Sequence, residues 1–207
     1  SLTFYDTDTL TIGSTIASIS GISSSGDITL NAGADEAAGT STGGNIIVSG
    51  TTTITSSSGN TKLYTGNVSG STGVTTLVGS GTGNFRYNSD ETTDCSSASW
   101  TNLGSTGTYA IYREQPSVSG IISTETITYG DANPSFTMSG SNGLVNGDSS
   151  SGFTIVGSSN SSAGKLKVDE YDVNASGLSA LGYSVSSVTN GKLIVNKKSL
   201  SVTGLTA

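Results

Sequence analysis

From residue 1 to about residue 80, short runs of alternating apolar and polar residues are separated by Gly, Ser, Asn and Thr. Alternation with a period of two marks a strand with one face buried. Leu10-Thr11-Ile12, Thr52-Thr53-Ile54-Thr55, Lys62-Leu63-Tyr64 and Val74-Thr75-Thr76-Leu77-Val78 all read as such strands. Gly26-Asp27-Ile28-Thr29-Leu30 recurs 18 residues later as Gly44-Asn45-Ile46-Ile47-Val48, which predicts that Ile28 stacks on Ile46 and Leu30 on Val48. Each run is too short to bury a core alone. Stacked as rungs of a short right-handed parallel β-helix over residues 1–83, they would share one aliphatic interior while Thr, Ser and Asn face water. The stretch from Asn31 to Gly43, with Asp35 and Glu36, then reads as a loop thrown out of one rung.

The pattern changes over residues 84–116, which hold Phe85, Tyr87, Trp100, Tyr109 and Tyr112 together with both arginines, Arg86 and Arg113. A stack of rungs ends in unpaired backbone and an apolar cross-section, so something must cover it. A hairpin of Asn84–Tyr87 against Tyr109–Arg113 is the predicted cap and junction. Residues 117–196 then carry longer strands at sandwich-like intervals, among them Ser135–Met138, Phe153–Val156, Lys165–Val168, Tyr171–Val173, Tyr183–Val185 and Lys192–Val195. That spacing suits an immunoglobulin-like β-sandwich. Asn190-Gly191 reads as a type I′ hairpin turn, and Asp131-Ala132-Asn133-Pro134 as a turn ahead of a strand. Residues 197–207 read as the start of a following repeat. The expected class is all-β.

Composition narrows the function. With 32% hydrophobic and only 11% charged residues, the chain lacks the charge density that keeps a chain disordered. A net charge of −7, with no basic run longer than Lys197-Lys198, argues against nucleic acid. No apolar stretch approaches the roughly 18 residues of a membrane helix, so no membrane span is expected. Ser1 opens straight into patterned sequence, as a mature fragment of something longer would. The absence of histidine removes Ser-His-Asp and Cys-His arrangements and ordinary zinc sites. Cys95 is alone and forms no internal disulfide framework; a buried or reduced thiol is favoured over a crosslink between chains.

Three clusters bear weighing against structural roles. Trp100, Tyr87, Tyr109 and Tyr112, with Arg86 and Arg113, would form a ligand-binding platform on which a sugar ring stacks; packing at a domain junction is the simpler account. There Arg113 would pair with Glu114 or Glu91. Asp169, Glu170 and Asp172 form the densest acidic group, a possible calcium site, against which stands a solvated strand face. Asp6 and Asp8, two apart on a strand, would share one side and offer calcium a weaker site, the bland reading again being a solvated strand end. Beyond calcium no cofactor is expected.

Tyr129-Gly130-Asp131-Ala132-Asn133-Pro134-Ser135-Phe136, Gly143-Leu144-Val145-Asn146-Gly147-Asp148, Tyr171-Asp172-Val173, Gly177-Leu178, Tyr183-Ser184-Val185 and Asn190–Val195 together resemble the MBG repeat, a bacterial immunoglobulin-like module. Upstream, Leu63–Gly73, Phe85-Arg86-Tyr87-Asn88 and Tyr109–Pro116 resemble the β-helix-to-MBG junction of large filamentous-haemagglutinin-like secreted adhesins. The resemblance implies a β-helical shaft exported by an outer-membrane secretion partner, hence a secreted, extracellular or bacterial cell-surface location. It implies a structural and adhesive, non-enzymatic role in attachment, aggregation or biofilm. Partners would be a host or environmental glycan or protein, or the chain itself, self-associating into fibres. A glycan-binding module without chemistry is the alternative. A carbohydrate-active β-helix is the weaker one, because its groove would need facing carboxylates.

Overall fold

A computed structural model describes residues 1–13, 21–81, 83–93, 103–104 and 106–201. The first half is three successive turns of chain laid on one another. The first turn holds β1 (Leu2–Asp6), β2 (Leu10–Ile12) and β3 (Gly21–Ser24). The second holds β4 (Ile28–Ala32), β5 (Ile46–Val48) and β6 (Thr53–Ser56). The third opens with β7 (Asn60–Thr65). Each strand pairs in parallel with the strand one turn below, β1 with β4, β2 with β5, β3 with β6 and β4 with β7.

In-register stacking places like upon like. Phe4, Leu30, Leu63 and Ala110 form one row across the first sheet, ending at Phe85. All but Phe4 are buried. The predicted stacking of Ile28 on Ile46 is wrong, because Ile28 lies between Leu2 and Thr61 while Ile46 pairs with Leu10. The two similar segments occupy two sides of one turn. Their likeness records the same inward alternation rather than adjacency, and the intervening loop carries the chain round the corner.

After β7 the chain leaves this pattern. Val74–Val78, predicted as a strand, is the helix α1. Its β-branched residues favour strands, yet Val74 and Val78, four apart, are both buried on one face. Packing of that face against β5 outweighs local propensity. Gly73 permits the approach: its φ is +79, and a Cβ there would run into the Val48 carbonyl. β8 (Phe85–Arg86) and β9 (Gly107–Tyr112) then extend the first sheet, whose order is β1-β4-β7-β9-β8. The predicted hairpin is therefore corrected. β8 and β9 run parallel, with Phe85 opposite Ala110 and Arg86 opposite Ile111.

The C-terminal part forms two sheets. β10 (Ser117–Ile122), β12 (Met138–Asn142) and β15 (Ser184–Thr189) make one; β11 (Glu125–Thr128), β13 (Thr154–Ile155), β14 (Glu170–Asn174) and β16 (Gly191–Asn196) make the other. The short helix α2 (Ser176–Leu181) joins β14 to β15, with Leu178 buried. Both sheets are mixed, where an immunoglobulin-like sandwich would be antiparallel throughout. β10 and β11 are nearly one strand that changes sheets, and β15 and β16 do the same alongside it, parallel in both sheets. Asn190-Gly191 lies at that change of sheet and is no hairpin turn; neither residue has positive φ. Glycine is required there by contact, since a Cβ would collide with the Ser123 carbonyl oxygen. Lys165–Val168 forms no strand beyond the isolated bridge from Leu166 to Asn160. Side chains from both sheets and from the stacked turns join one apolar core. Among the described residues, no helix is long and apolar enough to cross a membrane.

Candidate functional site

A dense polar arrangement lies where the stacked turns meet the C-terminal sheets. Tyr87 follows β8 and is wholly buried. Its ring stacks on Tyr112 at 5.6 Å and meets Tyr183 at 4.5 Å, tilted by 52°. Tyr87 and Tyr183 both donate their hydroxyl protons to Asp148 Oδ2, at 2.7 and 2.8 Å. Asn146 Nδ2 donates to the Tyr87 hydroxyl at 3.0 Å, and the Asn146 side-chain oxygen accepts from Thr75 of α1 at 2.6 Å. The backbone closes the same seam: Gly81 N–H donates to Asn146 O, Tyr87 N–H to Leu181 O, and Ser184 N–H to Pro116 O.

The loop carrying Asn146, Gly147 and Asp148 reaches this seam because Asn146 and Gly147 both take positive φ, +54 and +77. Asn is among the few side chains that tolerate that region. A single carboxylate shared by two phenols can accept both hydrogen bonds without a second charge nearby, so the part-buried Asp148 satisfies both buried hydroxyls.

Burial above all pushes the Tyr87 hydroxyl well above the usual phenol range, helped by Tyr183 and then by the Asp148 charge; burial likewise raises Tyr183, against the lowering effect of its bonds with Tyr87 and Val145 and with a further rise from Asp148. Burial raises Tyr112 to about 12. A tyrosine whose folded value is raised contributes stability that is complete below its unfolded value near pH 10 and is lost as pH rises toward the folded one. Spectrophotometric titration is therefore expected to show tyrosinate formation at these three residues withheld until the fold is lost, with stability falling from about pH 10 upward. Free titration of all eight tyrosines in the folded state would contradict this joint.

A second polar knot lies at the rim of the stack. Arg113, immediately after β9, is fully buried and reaches back over two turns. Nη1 donates to Ala32 O at 2.7 Å, and Nη2 donates to Gly44 O at 2.8 Å and Thr42 O at 3.4 Å. Gly33 and Gly66 leave the groove for its guanidinium; a Cβ on Gly33 would sit 2.5 Å from Nη2. Burial pushes the guanidinium below its ordinary value, opposed by the charges of Glu36, Glu91 and Asp90. The hydrogen bonds of Arg113 thus go to carbonyls, and Glu114, an expected ion-pair partner, accepts instead from Val68 N–H at 2.7 Å. Asp90 anchors the other side of that loop. It accepts from Ala38 N–H at 2.7 Å and from the N–H and hydroxyl groups of Thr92 and Thr93. Burial raises its carboxyl, but these bonds, from Thr93 above all, outweigh burial and hold it well below the usual range.

The predicted ligand platform is accordingly not assembled at the surface. Tyr87, Tyr109, Tyr112, Arg86 and Arg113 are all buried. Tyr109 accepts from Gly104 N–H, and Arg86 donates to the carbonyls of Gly83 and Phe85. Trp100 and Cys95 lie outside the described residues. The predicted calcium group is filled differently: Lys192 Nζ lies 3.0 Å from Glu170 and 2.9 Å from Asp172, a cross-strand fork between β14 and β16. Asp169 instead accepts from Glu170 N–H. Asp6 accepts from Asp8 N–H in a local turn, so the two do not share a strand face. Among the described residues no group of three or more carboxylate or thiol side chains is placed to hold a metal ion.

The residues missed in the sequence were Asp148, Asn146 and Tyr183 as partners of Tyr87, and Asp90. Asn146-Gly147, a pair suited to positive φ, and Asp90-x-Thr92-Thr93, a local capping pattern, were the available signals.

Tyr129-Gly130-Asp131 closes the turn after β11. Asp131 N–H donates to Thr128 O, the Asp131 carboxylate accepts from Thr128 N–H, and Gly130 has a φ of +98. Residues 121–194 match the family model of the MBG domain (YGX type), and this Tyr-Gly-Asp turn lies within them. That stretch is an MBG domain. No curated protein and no solved structure matches the chain. An MBG domain points to a surface or adhesin-like module. Asp148 and Tyr183 belong to the MBG domain while Tyr87 and Thr75 do not, so the polar seam is the contact between that domain and the stacked turns.

Proposed function

We propose that the chain is a structural and adhesive piece of a large bacterial surface or matrix protein, in which a right-handed parallel β-helical stalk carries the MBG domain, a two-sheet spacer, at a fixed angle. The observation that supports this most is the seam itself: a fully buried Tyr87 sharing Asp148 with Tyr183 across the two parts. A freely pivoting linker would leave those groups to water. A right-handed path follows the general hand of parallel crossovers. In this reading the chain works without catalysis or a required metal. It is exported to the cell surface or medium, as its resemblance to filamentous-haemagglutinin-like adhesins and their outer-membrane secretion partners suggests, and meets host or environmental glycans or proteins, or serves aggregation and biofilm. Small-angle scattering tests the stalk: the profile is expected to fit one rigid, elongated body with the seam intact. A profile that needs two independently moving parts sinks the reading.

A further inference from the structure

The chain holds three Asn-Gly pairs, beginning at Asn142, Asn146 and Asn190. In each, glycine has no side chain to shield its backbone nitrogen from the amide before it. An unfolded chain treats the three alike; the fold does not. The Asn146 amide is held at both ends, Nδ2 donating to the Tyr87 hydroxyl and Oδ1 accepting from Thr75. Asn190 is exposed, but the nitrogen after it belongs to Gly191, a buried residue of β16 that pairs with Val173 and packs on the Ser123 carbonyl. Asn142 has neither protection. It is exposed at the end of β12, an edge strand, and the Gly143 N–H donates to its Oδ1 at 2.9 Å.

We infer that Asn142 is a site of spontaneous deamidation, singled out by the fold from the three pairs, and that its conversion loosens the seam between the MBG domain and the stacked turns. Because the Gly143 N–H points at the side-chain amide, the electron pair left when hydroxide takes that proton points there too. Cγ lies one bond beyond Oδ1, within reach of the nitrogen. A bond forms from Gly143 N to Asn142 Cγ, the bond from Cγ to Nδ2 breaks, and the amide nitrogen takes a proton from water and leaves as ammonia. Water then opens the cyclic imide. Opening at Cγ leaves an aspartate, and opening at the main-chain carbonyl leaves an isoaspartate, whose backbone is longer by one methylene. Nothing is oxidised or reduced. The added methylene falls just before Gly143, where a φ of +88 and close approach to the Ser117 carbonyl fix the course of the chain. The loop that starts there is the one that carries Asn146 and Asp148 to Tyr87.

Peptide mapping with electron-transfer fragmentation, after incubation of the full chain at mildly alkaline pH, reads the conversion at each pair and separates isoaspartate from aspartate. Asn142 is expected to convert at least about tenfold faster than Asn146 and Asn190 in the folded chain, a barrier lower by about 1.4 kcal/mol. In guanidinium the three rates are expected to converge. Equal rates in the folded chain, or a slower rate at Asn142, overturn the assignment. The incubated chain is expected to unfold at a lower temperature than fresh chain. Asn142→Gln, whose longer side chain closes the ring far more slowly, is expected to keep its midpoint through the same incubation. Asn142→Ser, which has no amide to lose, is the second control at this exposed position. A chain converted at position 142 with its midpoint unchanged overturns the link to the seam.

Discussion

Replacing Arg113 by alanine is expected to cost the fold about 3 to 4 kcal/mol, as a buried charged group holding several carbonyls is among the strongest single contributors to stability. The guanidinium joins the end of β9 to Ala32, Thr42 and Gly44, two turns away, and Gly33 and Gly66 have no side chain to take its place. Alanine would leave those carbonyls facing a void too narrow to be refilled by neighbours. Arg113→Lys keeps the charge but lacks the planar fork that reaches Ala32 and Gly44 together, and is expected to lose about 2 kcal/mol. Guanidinium denaturation, comparing midpoints at unchanged slope, measures both. A loss under about 0.5 kcal/mol for the alanine variant, the range of ordinary surface changes, would mean that water reaches these carbonyls in the folded chain.

Tyr87→Ala is expected to be as damaging, about 4 kcal/mol by comparison with other large aromatic truncations in a core, and to change the shape of unfolding as well as its midpoint. The substitution removes ring contacts with Tyr112 and Tyr183 and one of the two protons held by Asp148. With the seam broken, the stacked turns and the MBG domain are expected to melt in two calorimetric steps where the parent melts in one. Tyr87→Phe separates ring from hydroxyl. It keeps the stacking, leaves Asp148 bonded to Tyr183, and is expected to cost about 1 to 2 kcal/mol with a single transition preserved. Two transitions already in the parent would show that the seam does not couple the two parts.

How much of this was legible beforehand differs along the chain. The alternation around Ile28, Leu30 and Leu63 gave strands and their inward faces, since period two is a local property. It did not give their partners. Parallel pairing joins residues separated by a whole turn, and the insertion between β4 and β5 hides that distance from any fixed repeat. Val74–Val78 failed for a related reason: five residues with strand-forming side chains fold as a helix once Val74 and Val78 have a surface to cover. The turn after β11 was placed too late, at Asp131–Pro134, because Pro and Asn mark turn chemistry; its hydrogen bonds join Thr128 to Asp131, and the strand expected at Ser135–Met138 begins only at Met138. Asn190-Gly191 misled because glycine answers two needs, positive φ and close approach, and a sequence does not say which. The aromatic cluster was visible, but its role turned on Asp148, far along the chain, whose carboxylate makes the rings a joint instead of an open platform.

The paired change of sheet in the MBG domain has a mechanical consequence. Its first strands, β10 and β11, and its last, β15 and β16, run side by side in the same direction. Tension applied through the chain on either side of the domain therefore drags these two ribbons in opposite senses along their own length. The ladder is loaded in shear, with its hydrogen bonds sharing the force at once, whereas antiparallel terminal strands would unzip one bond at a time. A module wired this way resists stretching far better than one whose terminal strands unzip, and it does so only along the line on which it is tethered.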